Sequence, residues 1–168
     1  YMRGIDFINC PTTTLSQVDS SIGGKVAINL GDTKNIVGAF WQPRLVVADT
    51  AALDTLTPRH YANGLAEAVK SGLIADAELF ELFETQDAHE KIEEIITRSL
   101  VVKKNIVERD EREGGPRAAL NFGHTLGHAV ESFEGLGGLY HGECVALGML
   151  PMIDDSALRQ RLRAVCKK

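Results

Sequence analysis

The segment Leu120-Asn121-Phe122-Gly123-His124-Thr125-Leu126-Gly127-His128 decides how the chain is read. His124 and His128 are four residues apart in a helical pattern, so both imidazoles leave one helix face. Pro116 and Arg117 read as the start of that helix, which runs through Thr125, His128 and Val130 to Phe133. A glycine-rich break at Gly135 to Gly138 ends it. His141 then opens an apolar helix to Met149, and Ser156 caps a last one. Arg117 and Asn121 are also four apart and would share the face that carries His124.

Upstream, Thr57-Pro58 reads as an N-cap with proline at the first helical position. Leu65, Val69 and Leu73 follow at helical spacing, and Glu67 and Lys70 share a face. Asp76 caps a short helix through Leu82. Ile92, Ile95, Ile96, Leu100 and Val101 form the apolar stripe of a long helix to about Val107. Its outer face, with Lys91, Glu93, Glu94 and Arg98, is expected only to be solvated. Before residue 55 the signals are strand-like. Ile5 to Asn9 alternates as a half-buried strand does, and Leu45 to Ala48 reads as a buried strand. Thr13 to Ser21 reads as a short helix with Leu15 and Val18 on one face, ending at Gly23-Gly24.

The chain has 168 residues, 44% hydrophobic and 24% charged, which is globular composition. No apolar run is long enough to span a membrane, and the first residues lack a signal-peptide stretch. The net charge of −5, without a basic block, argues against free nucleic acid as a partner. Cys10, Cys144 and Cys166 are odd in number and widely spaced, which excludes a disulfide framework and points to a reducing cytoplasm. Cys10 and Cys144 sit in apolar contexts and read as inert core residues. Glycine is frequent, at 16, and both ends read as cut.

Three histidines and the carboxylate of Glu67 suit zinc or cobalt. An HxxxH pair is equally compatible with surface or core histidines, and His128 could be a ligand, an acid–base group or a packing residue. Asp19-Ser20-Ser21-Ile22-Gly23-Gly24-Lys25 presents backbone N–H groups beside a cation, as a phosphate site does. It does not match the P-loop spacing, and an ordinary turn is the alternative. Lys103, Arg117 and Asn121 could hold a polyol acid or a phosphate, or simply be solvated.

Taken together, these strings resemble 3-dehydroquinate synthase, within the sugar-phosphate cyclases. The matching strings are Pro11-Thr12-Thr13, Gln17 to Lys25, Lys34-Asn35-Ile36-Val37-Gly38-Ala39-Phe40, Gly64-Leu65-Ala66-Glu67-Ala68-Val69-Lys70, Leu120 to His128, and His141-Gly142-Glu143. The resemblance implies an α/β part followed by an all-α part. Residues 1–54 would be the end of a Rossmann-like NAD-binding domain, and residues 55–168 a mainly helical zinc- and substrate-binding domain. It further implies Glu67, His124 and His141 as the ligands of a catalytic Zn²⁺ or Co²⁺. Thr12, Thr13, Asp19, Lys25, Lys34 and Thr55 would line the NAD site or its edge. Lys70, Lys103, Arg117, Asn121, His128 and Asn35 would bind the substrate, with Lys25 near its phosphate.

The implied reaction belongs to the shikimate pathway. It converts 3-deoxy-D-arabino-heptulosonate 7-phosphate to 3-dehydroquinate and phosphate through oxidation, β-elimination, reduction, ring opening and aldol closure, with NAD⁺ regenerated. The implied enzyme is cytoplasmic and, at full length, a homodimer, with no nucleic-acid or membrane partner. The family's glycine-rich dinucleotide loop and its C-terminal stretch have no match here, so the 168-residue chain alone is expected to be inactive. Other readings are a different sugar-phosphate cyclase such as 2-deoxy-scyllo-inosose synthase, a metal-dependent polyol dehydrogenase, and a non-catalytic remnant.

Overall fold

The computed structural model describes residues 4–31, 33–134 and 138–168, with the backbone alone at positions 34 and 134. The sequence expectations for Gly135 to Gly137, and for residues 1 to 3, lie outside the described residues.

The first part is built from short strands. β1 (Ile8–Asn9) pairs in parallel with β4 (Leu45–Val46), Ile8 opposite Leu45. Both were expected to be longer, the first half-buried and the second buried. Leu45 and Val47 are instead about half exposed, as are Ile5 and Ile8, and among the described residues no third strand extends the pair. Between them runs an antiparallel hairpin, β2 (Lys25–Leu30) and β3 (Thr33–Phe40), with Lys25 opposite Phe40 and a bulge between Ile28 and Leu30. The sequence reading missed this hairpin, although Gly31-Asp32 is a two-residue hairpin loop signal and Gly31 has φ +58°.

The expected helix at Thr13 to Ser21 is present as a wide turn, Ser16–Ser20, in which Ser21 N–H donates to the Ser16 carbonyl five residues back. Gln17 pins it. Its buried amide donates to the carbonyls of Pro11 (3.0 Å) and Asp49 (2.8 Å).

Six α-helices follow among the described residues. α1 (Pro58–Ala75) starts as its caps dictate, with Thr57 Oγ1 accepting from His60 N–H at 3.3 Å. α2 (Ala77–Thr85) is capped by Asp76, whose Oδ1 accepts from Leu79 N–H at 3.0 Å. α3 spans Ile92–Val107. α4 (His124–Glu134) and α5 (His141–Met149) form a tightly packed pair, and α6 spans Ser156–Val165. α6 is capped by Asp155, not Ser156. The Asp155 Oδ1 accepts from Ala157 N–H at 2.8 Å, and a carboxylate at the N-terminus also meets the helix dipole favourably. Val69, Leu79, Phe80, Phe83, Ile95, Ile96, Val145, Met149 and Leu162 form one buried cluster that joins the helices. Each such large side chain contributes roughly 1.5–3 kcal/mol on burial. Among the described residues no helix is long and apolar enough to cross a membrane.

Three further expectations are corrected. Arg98 is not merely solvated: it makes a two-point contact with Asp76 (2.9 and 2.7 Å) and reaches Glu78 at 2.7 Å. Cys10 is exposed, whereas Cys144 is fully buried. The helix expected from Pro116 to Phe133 is two elements. A tight 3₁₀ segment covers Pro116–Asn121, and the chain then breaks at Gly123, whose φ of +80° interrupts any right-handed helix. Arg117 is therefore buried and Asn121 exposed, not aligned on the face of His124.

Candidate metal and anion site

Glu67 lies in the middle of α1 and is only 1% exposed. A carboxylate so placed must be compensated. Its Oε1 faces two imidazole nitrogens, His141 Nε2 at 3.3 Å and His124 Nε2 at 3.6 Å, and its Oε2 meets the buried ammonium of Lys70. Burial pushes the Glu67 carboxyl up. The His141 contact, Lys70 and His124 outweigh that and hold it well below the usual carboxylate range. Neither oxygen has a hydrogen-bond partner of ordinary geometry among the described residues, although the two imidazoles and Lys70 surround it.

Both histidines are held from behind. His124 Nδ1 is 3.2 Å from the Phe122 carbonyl, which requires the proton on Nδ1 and leaves the Nε2 lone pair facing Glu67. His141 Nδ1 is 3.5 Å from Glu131 Oε2. Burial pushes His124 below the usual histidine range, helped by Lys70, and so keeps it neutral. His141 is raised, chiefly by Glu67. The donor atoms of Glu67, His124 and His141 lie within 4.8 Å of one another. One buried carboxylate and two imidazoles with convergent Nε2 atoms are a donor set that fits zinc or cobalt.

The packing explains the convergence. A Cβ at Gly148 on α5 would lie 2.1 Å from the Gly123 carbonyl oxygen, so only glycine lets α5 approach the start of α4 this closely. His124 and His141 are thereby brought to a ring separation of 5.2 Å. α5 is also fixed on α1, because Gly142 N–H donates to Asn63 Oδ1 at 2.7 Å and Arg59 holds Glu143 through two 2.7 Å contacts. His128, one turn beyond His124, is exposed, with its ring 5.2 Å from His124 and 5.8 Å from His141.

Cations crowd the adjoining wall. Lys103 on α3 is buried and donates to the Asp19 carbonyl at 2.6 Å, with the Asp19 carboxylate at 2.9 Å. Burial pushes Lys103 below the usual lysine range. Asp19 opposes that shift and neighbouring Lys70 reinforces it. Arg117 donates to the Gly23 carbonyl at 2.8 Å and to that of Glu111, while its Nε is buried without a hydrogen-bond partner. Gly23, at φ +96°, makes room for both: a Cβ there would stand 3.0 Å from Arg117 and 3.3 Å from Lys103. Lys25 and Asn121 both meet Glu113, at 2.5 and 2.7 Å.

The structure thus brings together Glu67, Lys70, Lys103, Asp19, Arg117, His124, His128 and His141, with Lys25 and Asn121 joined through Glu113. The remaining residues keep local contacts. Thr12 is exposed, Thr13 Oγ1 accepts from Ser16 N–H at 3.2 Å, and Thr55 Oγ1 donates to the Ala52 carbonyl at 3.0 Å. Asn35 sits in the hairpin at φ +54°, its N–H on Asn29 Oδ1 at 3.0 Å, and Lys34 is described by its backbone alone in β3. Glu131 and Glu113 were missed. Glu131 follows His128 by three residues and His124 by seven, a helical-face spacing that was open to view. Nothing local marks Glu113.

Residues 1–63 match the family model described as 3-dehydroquinate synthase N-terminal, and residues 64–165 match 3-dehydroquinate synthase C-terminal. The chain is 49% identical over 160 residues to the 3-dehydroquinate synthase of Geotalea uraniireducens, covering 89% of this chain and 43% of that protein. It is 53% identical over 156 residues to that of Thermoanaerobacter pseudethanolicus, covering 89% and 44%. The chain therefore spans less than half the length of these curated relatives. Among solved structures it resembles ValA, a 2-epi-5-epi-valiolone synthase from Streptomyces hygroscopicus subsp. jinggangensis with NAD⁺ and Zn²⁺ bound. The TM-score is 0.89 at 29% identity, over 99% of this chain and 51% of that one. It also resembles 2-deoxy-scyllo-inosose synthase complexed with carbaglucose-6-phosphate, NAD⁺ and Co²⁺, with a TM-score of 0.85 at 31% identity over 99% and 50%. The fold is that of the sugar-phosphate cyclases.

Proposed function

Because the chain belongs to the 3-dehydroquinate synthase family, we propose that it forms the metal- and substrate-holding part of an enzyme converting 3-deoxy-D-arabino-heptulosonate 7-phosphate to 3-dehydroquinate and phosphate. The observation that carries this reading is Glu67 Oε1 facing two imidazole Nε2 atoms beside a wall of buried cations. Residues 1–54 are taken as the end of the NAD-binding lobe and residues 55–168 as the helical lobe. Glu67, His124 and His141 would hold the divalent cation, zinc or cobalt, which when bound supplies Lewis-acid polarisation of a substrate oxygen. The exposed Thr12, Thr13 and Thr55, with Asp19, Lys25 and Lys34, would form an edge of the NAD site.

The chain's own groups divide the remaining work. Lys70, paired with Glu67, helps hold the carboxylate ionised where burial would neutralise it. Lys103 and Arg117 are fixed in place by Asp19, Gly23 and Glu111. They offer preorganised positive charge to a keto acid and a phosphate without reorganisation at the moment of reaction. Lys25 and Asn121 can be reached from solvent and would dock an anionic end of the substrate. Asn35 would contact the substrate from the hairpin. His128, exposed beside the two partly buried imidazoles, would move a proton at a substrate hydroxyl. A multistep sequence in one pocket depends mainly on orientation, which such a set of fixed contacts provides.

The test is turnover by the enzyme expressed from the full reading frame that carries these 168 residues. Supplied with the heptulosonate phosphate, NAD⁺ and Zn²⁺ or Co²⁺, it should release inorganic phosphate with no net accumulation of NADH. Accumulation of NADH would indicate a polyol dehydrogenase instead. Failure to release phosphate from this substrate would overturn the proposal.

A further inference from the structure

Glu67 is the last of three α1 residues that meet the start of α5. Arg59, Asn63 and Glu67 follow one another at four-residue spacing, so their side chains leave one helix face. They contact three consecutive residues in reverse order. Arg59 Nε and Nη2 donate to the two carboxylate oxygens of Glu143, each at 2.7 Å. Asn63 Oδ1 accepts from Gly142 N–H at 2.7 Å. Glu67 Oε1 faces His141 Nε2 at 3.3 Å. The first two contacts therefore fix the chain immediately beside the third.

Both of these contacts are specific. Gly142 N–H is one of the first-turn donors that have no partner inside α5, and Asn63 satisfies it. A Cβ at Gly142 would lie 1.9 Å from the Asn63 carbonyl oxygen, so backbone meets backbone at this point. Arg59 also donates to the Gly138 carbonyl at 3.0 Å and lies 4.0 Å over the Tyr140 ring, on which His60 stacks at 4.7 Å. Glu143 in turn accepts from Tyr140 N–H at 2.7 Å. Arg59 thus grips the chain on both sides of His141.

We propose that Arg59 and Asn63 are positioning residues for the metal-holding ring of His141: together they seat the first turn of α5 where Nε2 meets Glu67. Both act through His141 and not on the ion. A two-point guanidinium–carboxylate contact fixes direction as well as distance, which an ammonium does not. A displacement of that turn by about 1 Å would leave all three ligands present but too loosely placed around one ion. This inference rests on Glu67, His124 and His141 as the metal ligands.

The test is cobalt binding by the protein expressed from the full reading frame that carries these 168 residues. It is read from the visible absorption of the bound ion, with thermal melts of the metal-free proteins alongside. Arg59→Ala and Asn63→Ala should each weaken cobalt binding roughly tenfold and alter the visible band. Arg59→Lys, at a half-exposed position and so compatible with folding, keeps the charge but loses the fork, and should not restore either. Asp76→Ala, whose lost carboxylate serves α2 and Arg98 instead, should lower the melt and leave affinity and band unchanged. If wild type binds cobalt and Arg59→Lys and Asn63→Ala match it in affinity and band, the positioning role is overturned while the metal-site reading survives. An equal loss of affinity in Asp76→Ala would overturn it too, by tracing the effect to stability alone. If wild type binds no cobalt, the metal-site reading falls and the positioning role with it.

Discussion

Glu131 Oε2 stands 3.5 Å from His141 Nδ1, on the side of the ring away from Glu67. The ring is thus held between two carboxylates, one behind it and one at the proposed metal position. A carboxylate behind a ligating imidazole fixes its tautomer and orientation and raises its basicity. Glu131→Gln should therefore weaken Co²⁺ binding by about 10–100-fold, read from the visible absorption of the bound ion. The thermal melt of the metal-free variant should change little. Equal cobalt affinity in wild type and variant would show that Glu131 does not position His141.

Gly148→Ala tests the α4–α5 approach. The new Cβ would lie 2.1 Å from the Gly123 carbonyl oxygen, which is backbone and cannot swing aside. The helices must separate, at a cost of about 1–3 kcal/mol by analogy with overpacked cores. Since His124 is on one helix and His141 on the other, cobalt affinity should fall together with the melting temperature. A variant that melts lower but binds cobalt unchanged would mean that this approach does not set the ligand spacing.

These two cases show which features could be read from sequence. Thr57-Pro58, Asp76 and the Ile92–Val107 stripe were legible because caps and helical periodicity act within a few residues. His124 and His141 were legible as ligand candidates by residue type. The break at Gly123 was not, since a glycine between Phe122 and His124 is compatible with a helix until its φ is known. The Arg98–Asp76 pair and the Lys25–Glu113–Asn121 contact join residues 22, 88 and 8 apart, and nothing local specifies them. The half-exposed β4 misled for another reason: an apolar run shows that a strand prefers burial, not what covers it.

Asp76 carries two structural duties, capping α2 and holding Arg98. Asp76→Ala should cost about 1–2 kcal/mol from the lost cap alone, measured by urea unfolding near neutral pH. Its carboxyl is lowered, chiefly by Arg98, so its contribution is present above the usual value of 3.8 and is lost as pH falls through the lowered value. Wild type and Asp76→Ala should therefore converge in stability in strong acid. A constant gap between them across that range would contradict the assignment.

The raised His141 pKa gives metal binding and metal-free stability opposite pH trends. Glu67 is the main cause of the rise, and in the metal-free chain the protonated ring is paired with it. That pairing contributes stability fully below the usual histidine value of 6.5 and loses it as pH climbs through the raised value. A metal needs the same Nε2 unprotonated, so below that raised value each ion bound must release a proton. His124, lowered by burial, adds little competition until more acid conditions. Cobalt affinity should accordingly drop by roughly tenfold per pH unit on the acid side of the His141 transition. His141→Ala should bind cobalt far more weakly at every pH and lose that slope. Isothermal titration across pH 5.5–8 in buffers of different ionisation enthalpy would count the protons released, and a pH-independent affinity would show that His141 is not a ligand.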